Sequence, residues 1–429
     1  MIYGYCKISG AVLLIICLLF AFAPNYAFSV QRFPPPQFKS GHVLPETTQA
    51  PPRSDFYEYL DAGVLLAALA VATYLALKRR SRTGLLILTI FSLAYFGFWR
   101  MGCVCAVGSV QNVTITLFQT GYSIPLVVVI FFALPLIFTL FFGRTFCAAV
   151  CPLGAIQDIF VIKPVRVPRW LDRGLRVIPY LYLGFAVLFA ATGSAFIICE
   201  YDPFIAFFRR GGRAAILAFG GLLLILGMFV GRPYCRYLCP YGVVLSWMSK
   251  ASKWHVSITP NECIQCRLCE DSCPFEAIDS PTEEKANTPR TEGKGRLITL
   301  IILLPLFIAM GVGLGAGVGS YLSRIDPDVR LAERIWLEDT GQIDEMDDAS
   351  EAFRKTGRPS SELFAEAKQL RRQFRIGSMI LGGFLGLFTG IKMISLSIKR
   401  SRKDYETNRT HCVSCGRCFS YCPVEKDEK

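Results

Sequence analysis

Seven apolar runs, each close to the length that crosses a bilayer as a helix, set the first limit on what this chain can become. A hydrocarbon core about 30 Å thick needs roughly 20 apolar residues in a row. Such runs fall at about 57–77, 84–100, 122–142, 178–198, 214–231, 296–318 and 376–397. Hydrophobic residues make up 52% of the 429, and the mean hydropathy of +0.41 is too high for a soluble domain of this size. The expectation is a membrane all-α fold, a polytopic helical bundle of about seven spans.

Basic residues orient the runs. Lys78, Arg79, Arg80 and Arg82 follow the first run, and Lys399, Arg400, Arg402 and Lys403 follow the last. Lys and Arg collect in cytoplasmic loops. Six crossings separate the two basic clusters, so both emerge on one side. This topology puts 143–177, 232–295 and 399–429 in the cytoplasm and 101–121, 199–213 and 319–375 outside. Arg209, Arg210 and Arg213 run against the rule. Loop basicity of this kind accounts for the net charge of +13, and no nucleic-acid partner is expected.

Ahead of the bundle, 1–29 has a lysine, an apolar stretch and small residues, the shape of a secretory signal peptide or an uncleaved anchor. Residues 30–56 are Pro-rich and read as an extended periplasmic tether. The rest divides into a membrane domain (57–255), a first cysteine motif (256–295), a membrane hairpin (296–398) and a second motif (399–429). The hairpin carries a polar insertion, 323–375, in which Leu363, Phe364, Ala367, Leu370 and Phe374 have helical spacing. That helix, which Ser360 or Ser361 is placed to cap, either packs on the membrane domain or offers a docking surface to a partner.

The 17 cysteines fall in tight groups, which favours metal ligation over a disulfide framework. Cys263, Cys266, Cys269 and Cys273, followed by Pro274, form C-x2-C-x2-C-x3-C-P. Cys412, Cys415, Cys418 and Cys422, followed by Pro423, repeat it. This is the bacterial ferredoxin run for [4Fe–4S] clusters. Zinc sites instead pair two C-x2-C knuckles across a longer gap. In two-cluster ferredoxins the fourth cysteine serves the other cluster. One cluster should therefore take Cys263, Cys266, Cys269 and Cys422, and the other Cys412, Cys415, Cys418 and Cys273. The two runs between the motifs return the chain to the same side, so a small ferredoxin-like 2[4Fe–4S] module is expected from two separate segments.

A second repeat sits at the cytoplasmic ends of spans. It reads GRTF-Cys147-AAV-Cys151-PLG and GRPY-Cys235-RYL-Cys239-PYG. A spacing of i, i+4 puts both thiols of a pair on one helix face. Facing each other, the pairs would offer four thiolates to a further cluster or metal; otherwise they are packing residues at helix ends. A weaker third copy starts at Cys105, where CAVGSVQN parallels CPLGAIQD. Cys103, Cys105 and Cys199 are expected together at the outer face, as a redox centre, a disulfide pair or packing.

Only three histidines are present, His42, His255 and His411, and none lies in an apolar run. Haem held by two membrane histidines is excluded, and no C-x-x-C-H offers covalent haem. No acid–base constellation, phosphate-cradling glycine loop or activated nucleophile appears.

With its several spans, two GR-x2-Cys-x3-Cys-Pro-x-Gly ends and paired ferredoxin runs, the chain over about 57–429 resembles the membrane polyferredoxins of the NosR/NapH type. It is most similar to the membrane and ferredoxin part of NosR, without its periplasmic flavin domain. The resemblance implies an inner-membrane protein that passes electrons from quinol or a cytoplasmic donor to a periplasmic flavoprotein or reductase, in the NosR case for nitrous oxide respiration. FMN, if used, belongs to a partner. Two other readings stand: a quinone oxidoreductase subunit working on one face, and a redox sensor or metal-centre assembly factor.

Overall fold

The computed structural model describes residues 53–102, 105–119, 122–162, 164–258, 263–282, 290–343, 345–397, 402 and 404–423. The leader, nearly all of the Pro-rich tether and Cys103 lie outside the described residues. Five helices are long and apolar enough to cross a membrane: Asp55–Lys78, Arg82–Trp99, Trp170–Ala191, Gly295–Ser323 and Ser360–Ser395. Pro203–Arg209 and Ala214–Gly227 make a sixth if the pair, bent by 108°, counts as one span. The run expected at 122–142 becomes a 17-residue helix, Leu126–Phe142, with Pro135 inside it. Seven runs therefore give five or six helices of spanning length, because Pro and Gly break two of the runs short.

Shorter helices fill the interior. Ala106–Phe118, Pro152–Phe160 and Pro240–Lys250 each begin just after a cysteine. Their apolar faces join Leu65, Leu69, Phe96, Leu153, Phe204, Tyr234 and Tyr241 in one core. The cysteine-bearing turns are thus buried inside the bundle.

The last two long helices form a hairpin whose backbones touch. A Cβ added at Gly311 would overlap the carbonyl of Gly382, and one at Gly386 that of Phe307. Gly319 approaches Arg375 in the same way. Small residues four apart let membrane helices come this close. The helix expected inside the insertion is not separate: Ser360–Ser397 runs unbroken through it and the last span. Its outer half packs Leu363 and Ala367 against Val329, Ala332 and Ile335 of the helix Pro327–Asp339, while Phe374 packs against Leu188 and Phe189 of the membrane helix Trp170–Ala191. Nothing between 360 and 397 breaks the helix, since its glycines fall where close packing needs them.

The hairpin returns the chain to its starting end. There Ile278–Asp279 pairs antiparallel with Glu406–Thr407, in register Ile278 to Thr407 and Asp279 to Glu406. The short helices Leu268–Ser272 and Arg417–Tyr421 pack on each other beside this pair. Two segments far apart in sequence thereby build one module.

Candidate iron–sulfur relay

The two ferredoxin runs share a local backbone. Gln265 and Ser414 have φ of 54° and 55°, and Arg267 and Gly416 have φ of 65° and 72°. Alternating hand along a chain curls it into a concave nest with its N–H groups inward, a shape that receives anions. Three of these positions carry side chains that strain the left-handed region, and both runs bear that strain at the same places.

Cys273, Cys412, Cys415 and Cys418 line one cavity of about 370 Å³, mouth included. The backbone N–H of Ala277 donates to Cys273 Sγ at 3.4 Å. Burial pushes the Cys273 thiol up to about 11 and the Cys412 thiol up to about 12. Cys269 is buried with Ile278 and Tyr405, and Cys263, Cys273 and Cys418 pack against that cluster. Cys266 is exposed, and Cys422 ends the helix Arg417–Tyr421. Among the described residues no three His, Cys, Asp or Glu side chains converge as a single metal ion requires. A cubane is the fitting test here, because its four thiolates bind separate irons and stand further apart. Soft anionic donors, inward N–H groups and a cavity lined by four cysteines fit such a group.

Beneath the module lie the two C-x3-C-P turns. The expectation that each pair shares one helix face needs correction. Cys147 lies in a π-helical turn, Phe146–Val150, and Cys235 in the helix Pro233–Tyr237. Cys151 and Cys239 instead cap the next helices in extended backbone, with ψ of 118° and 111°. The proline after each cysteine disfavours helical backbone at the residue before it, so each helix breaks there.

Each of these four sulfurs still receives one N–H donor. Arg144 Nη2 reaches Cys147 at 3.7 Å, Gln157 Nε2 reaches Cys235 at 3.4 Å, and the Gly242 amide reaches Cys239 at 3.3 Å. The Gly154 amide donates to Cys151. A Cβ on Gly154 would lie 3.8 Å from Cys235 Sγ, so the two turns face each other.

The repeat is a pseudo-twofold with crossed arginines. Arg232 donates to the carbonyls of Cys147 and Ala148 and pairs with Asp158 at 3.3 Å. Arg144 crosses the other way to Ser246 Oγ, at 3.4 Å. Asp158 and Ser246 hold one place in the repeat (151 to 158, 239 to 246). Asp158 also takes Arg82 at 2.6 Å and Arg417 at 3.4 Å. Burial would raise its carboxyl, but Arg232, Arg82 and Arg417 together hold it well below the usual carboxylate range. Arg144, beside Cys147, Ser246 and Thr410, has no carboxylate partner among the described residues.

The module rests on this layer through backbone carbonyls. Arg144 donates to Thr410 O at 3.1 Å, Arg82 to Cys415 O at 3.0 Å, and Arg236 to Pro274 O at 3.2 Å. Pro274, which follows Cys273, sits against Gly231, where a Cβ would lie 2.6 Å from it. None of these arginines was singled out as a site residue. The repeat itself signals Arg144 and Arg232, since both copies open on Gly-Arg, and gives no such sign of Arg82 or Arg236.

The third copy pairs with Cys199. A Cβ on Gly108 would lie 3.2 Å from Cys199 Sγ, matching Gly154 against Cys235. Gln111 Oε1 accepts from the Ile198 amide at 2.8 Å, as Gln157 Oε1 accepts from the Tyr234 amide at 3.0 Å. Asp202, three residues after Cys199 where the repeat has four, takes the second cysteine's role before a proline; it caps Pro203–Arg209 and accepts from the Tyr234 hydroxyl. Cys105 and Cys199 do come together, as expected, but the expected separation of this group from the C-x3-C-P cysteines is not what the structure has. Cys105 and Cys151 line one apolar cavity of about 270 Å³ with Phe146, Ile205 and Phe208. Both cysteines start helices that run back into the core, and this draws them together.

A helical membrane bundle bearing these cysteine sets defines an iron–sulfur electron-transfer membrane protein. Residues 124–170 and 213–259, the two C-x3-C-P segments, match a 4Fe-4S binding domain family, and 256–279 match a second one. The chain is similar to membrane ferredoxin-type electron-transport proteins. It is similar to protein NirI of Paracoccus denitrificans, with 33% identity over 47% of this chain and 32% of NirI. Regulatory protein NosR of Pseudomonas aeruginosa is 30% identical over 49% of this chain and 31% of its own length. The methylamine utilization ferredoxin-type protein MauN of Paracoccus denitrificans is 27% identical over 34% of this chain and 54% of its own length. The chain thus spans between a third and about half of these relatives. No solved structure matches it.

Proposed function

We propose that the chain carries electrons from quinol or a cytoplasmic donor, through two ferredoxin clusters, into the membrane layer of C-x3-C-P cysteines and on to a periplasmic flavoprotein or reductase. Cys273, Cys412, Cys415 and Cys418 hold one cluster, and Cys263, Cys266, Cys269 and Cys422 the other. Cys147, Cys151, Cys235 and Cys239 hold a third. Bound clusters supply one-electron carriers; the residues supply spacing, burial and N–H donors that set potentials. The observation that carries the reading is Arg144, which donates both to Cys147 Sγ and to Thr410 O, two residues before Cys412. Module and membrane layer are thus joined through one side chain. Cys105 and Cys199 continue the line inward from Cys151. The membrane is the inner membrane, with the module on the cytoplasmic side.

A transfer assay tests the reading. Protein is reconstituted in liposomes with ferricyanide sealed inside and dithionite added outside. Wild type should bleach the ferricyanide well above the protein-free background. Cys147→Ser with Cys235→Ser should fall to that background while keeping its ferredoxin clusters. Bleaching that survives the double variant would rule out a route through the C-x3-C-P layer and favour a protein working on one face.

A further inference from the structure

A cavity at the junction of module and membrane is lined by five basic residues. It measures about 750 Å³, mouth included, and Arg144, Arg173, Arg176, Arg236 and Lys392 all line it. Arg176 and Arg236 share the carboxylate of Asp172, at 2.7 Å and 2.6 Å. Among the described residues, Arg144, Arg173 and Lys392 have no carboxylate partner. Arg144 is only 6% exposed, and its Nε lacks any hydrogen-bond partner. A buried cation without a counter-charge is costly, and with the exposed Arg173 and half-buried Lys392 on the same cavity the site calls for an anion.

The walls tell which anion. Val177, Pro179, Tyr180 and Phe388 line the same cavity, and the Tyr180 and Phe388 rings stack at 3.7 Å. These residues come from Trp170–Ala191 and Ser360–Ser395, two of the helices long enough to span. Charge and apolar wall meet at the ends of membrane helices, the layer where lipid phosphates lie. A cluster at Cys235 and Cys239 would face Arg144. Arg173 and Lys392 stand on helices that carry no cysteine, so their charge is left for another anion.

We infer that this cavity binds the phosphate of an anionic phospholipid headgroup, with Arg173 and Lys392 as its outer cations and Arg144 at its floor. A basic pocket between membrane helices suits such a headgroup, and each cation near it contributes about 1 kcal/mol of attraction. The site ties the hairpin that carries the second ferredoxin run to the helix beside the C-x3-C-P layer. It stands on the membrane reading alone and holds whatever the acceptor of the electrons is.

The test uses full-length protein in nanodiscs of phosphatidylcholine with a minor share of phosphatidylglycerol, and native mass spectrometry counts the lipid retained on release. Wild type should retain phosphatidylglycerol over phosphatidylcholine. Arg173→Gln with Lys392→Gln should cut that retention about ten- to thirtyfold, with iron content unchanged as the sign of an intact fold. Displacement of the lipid by millimolar inorganic phosphate would overturn the headgroup assignment in favour of a free oxyanion. Equal retention of both lipids, or retention untouched by the double variant, would overturn the site altogether.

Discussion

At the scale of single residues, the crossed arginines decide how the module is held and how the membrane layer is poised. Asp158 gathers Arg82, Arg232 and Arg417 from three parts of the chain. Asp158→Asn leaves three guanidinium groups without their carboxylate, and breaking a buried pair in this way costs about 3–5 kcal/mol. The expected result is a module that detaches and loses its iron on mild heating while the helical signal persists. The sign of the pH dependence follows from the lowered carboxyl. Its contribution is complete above the unfolded value, near pH 4, and is lost only as pH falls through the depressed folded value. The Asp158 contact should therefore hold the module on acidification to about pH 4, read as retained iron.

Ser246 offers the complementary change. It stands where the other repeat has Asp158 and touches Arg144 at 3.4 Å. Ser246→Asp gives Arg144 a carboxylate and adds negative charge beside the C-x3-C-P sulfurs. The midpoint potential of the centre should fall, by tens of millivolts, if an extra charge is worth roughly 1 kcal/mol at this position. Redox titration followed by EPR reads this directly, and an unmoved potential would remove Arg144 and Ser246 from the account. The repeat was visible in the sequence, and so were both arginines. That each arginine reaches the other copy was not, because the pairing spans about ninety positions and leaves no periodic trace.

At the scale of elements, two features decide where the cysteines stand. The proline after each second cysteine ends one helix and lets that cysteine cap the next. Spacing alone had put each pair on one helix face; the C-P dipeptide in the same motif carried the correction. The other feature is the glycine seam of the terminal hairpin. Gly382→Leu would drive a side chain into the Gly311 carbonyl. Overpacking of this kind costs about 1–3 kcal/mol. Because the hairpin carries the second run to the first, the variant should lose cluster signal from the module while the C-x3-C-P centre keeps its own. The apolar runs disclosed the hairpin as two spans, but not that its second helix continues through the insertion. Helical spacing at 363–374 does mark helix, and with no breaker before 376 nothing in the sequence sets a boundary there.

At the scale of the whole molecule, the cysteines form one connected series. Cys266 is exposed in the module, Cys273, Cys412, Cys415 and Cys418 share a cavity, Arg144 links that set to Cys147, and Cys151 shares a cavity with Cys105. Class, membrane character and the ferredoxin runs were legible from the order of cysteines and apolar stretches. The depth of Cys105 was not, because a loop between two spans gives no hint that a short helix leads back inside. On the proposed reading, module and membrane layer are one iron–sulfur relay. Iron analysis with EPR of the fully reduced, anaerobically purified protein tests it most directly. About twelve irons per chain, as three cubanes hold, are expected, with spectra broadened by coupling between neighbouring clusters. Cys147→Ser with Cys235→Ser should remove about four of those irons and sharpen the signals that remain. About eight irons in the wild type, with a spectrum indifferent to the double variant, would contradict the relay and leave the C-x3-C-P cysteines a structural role.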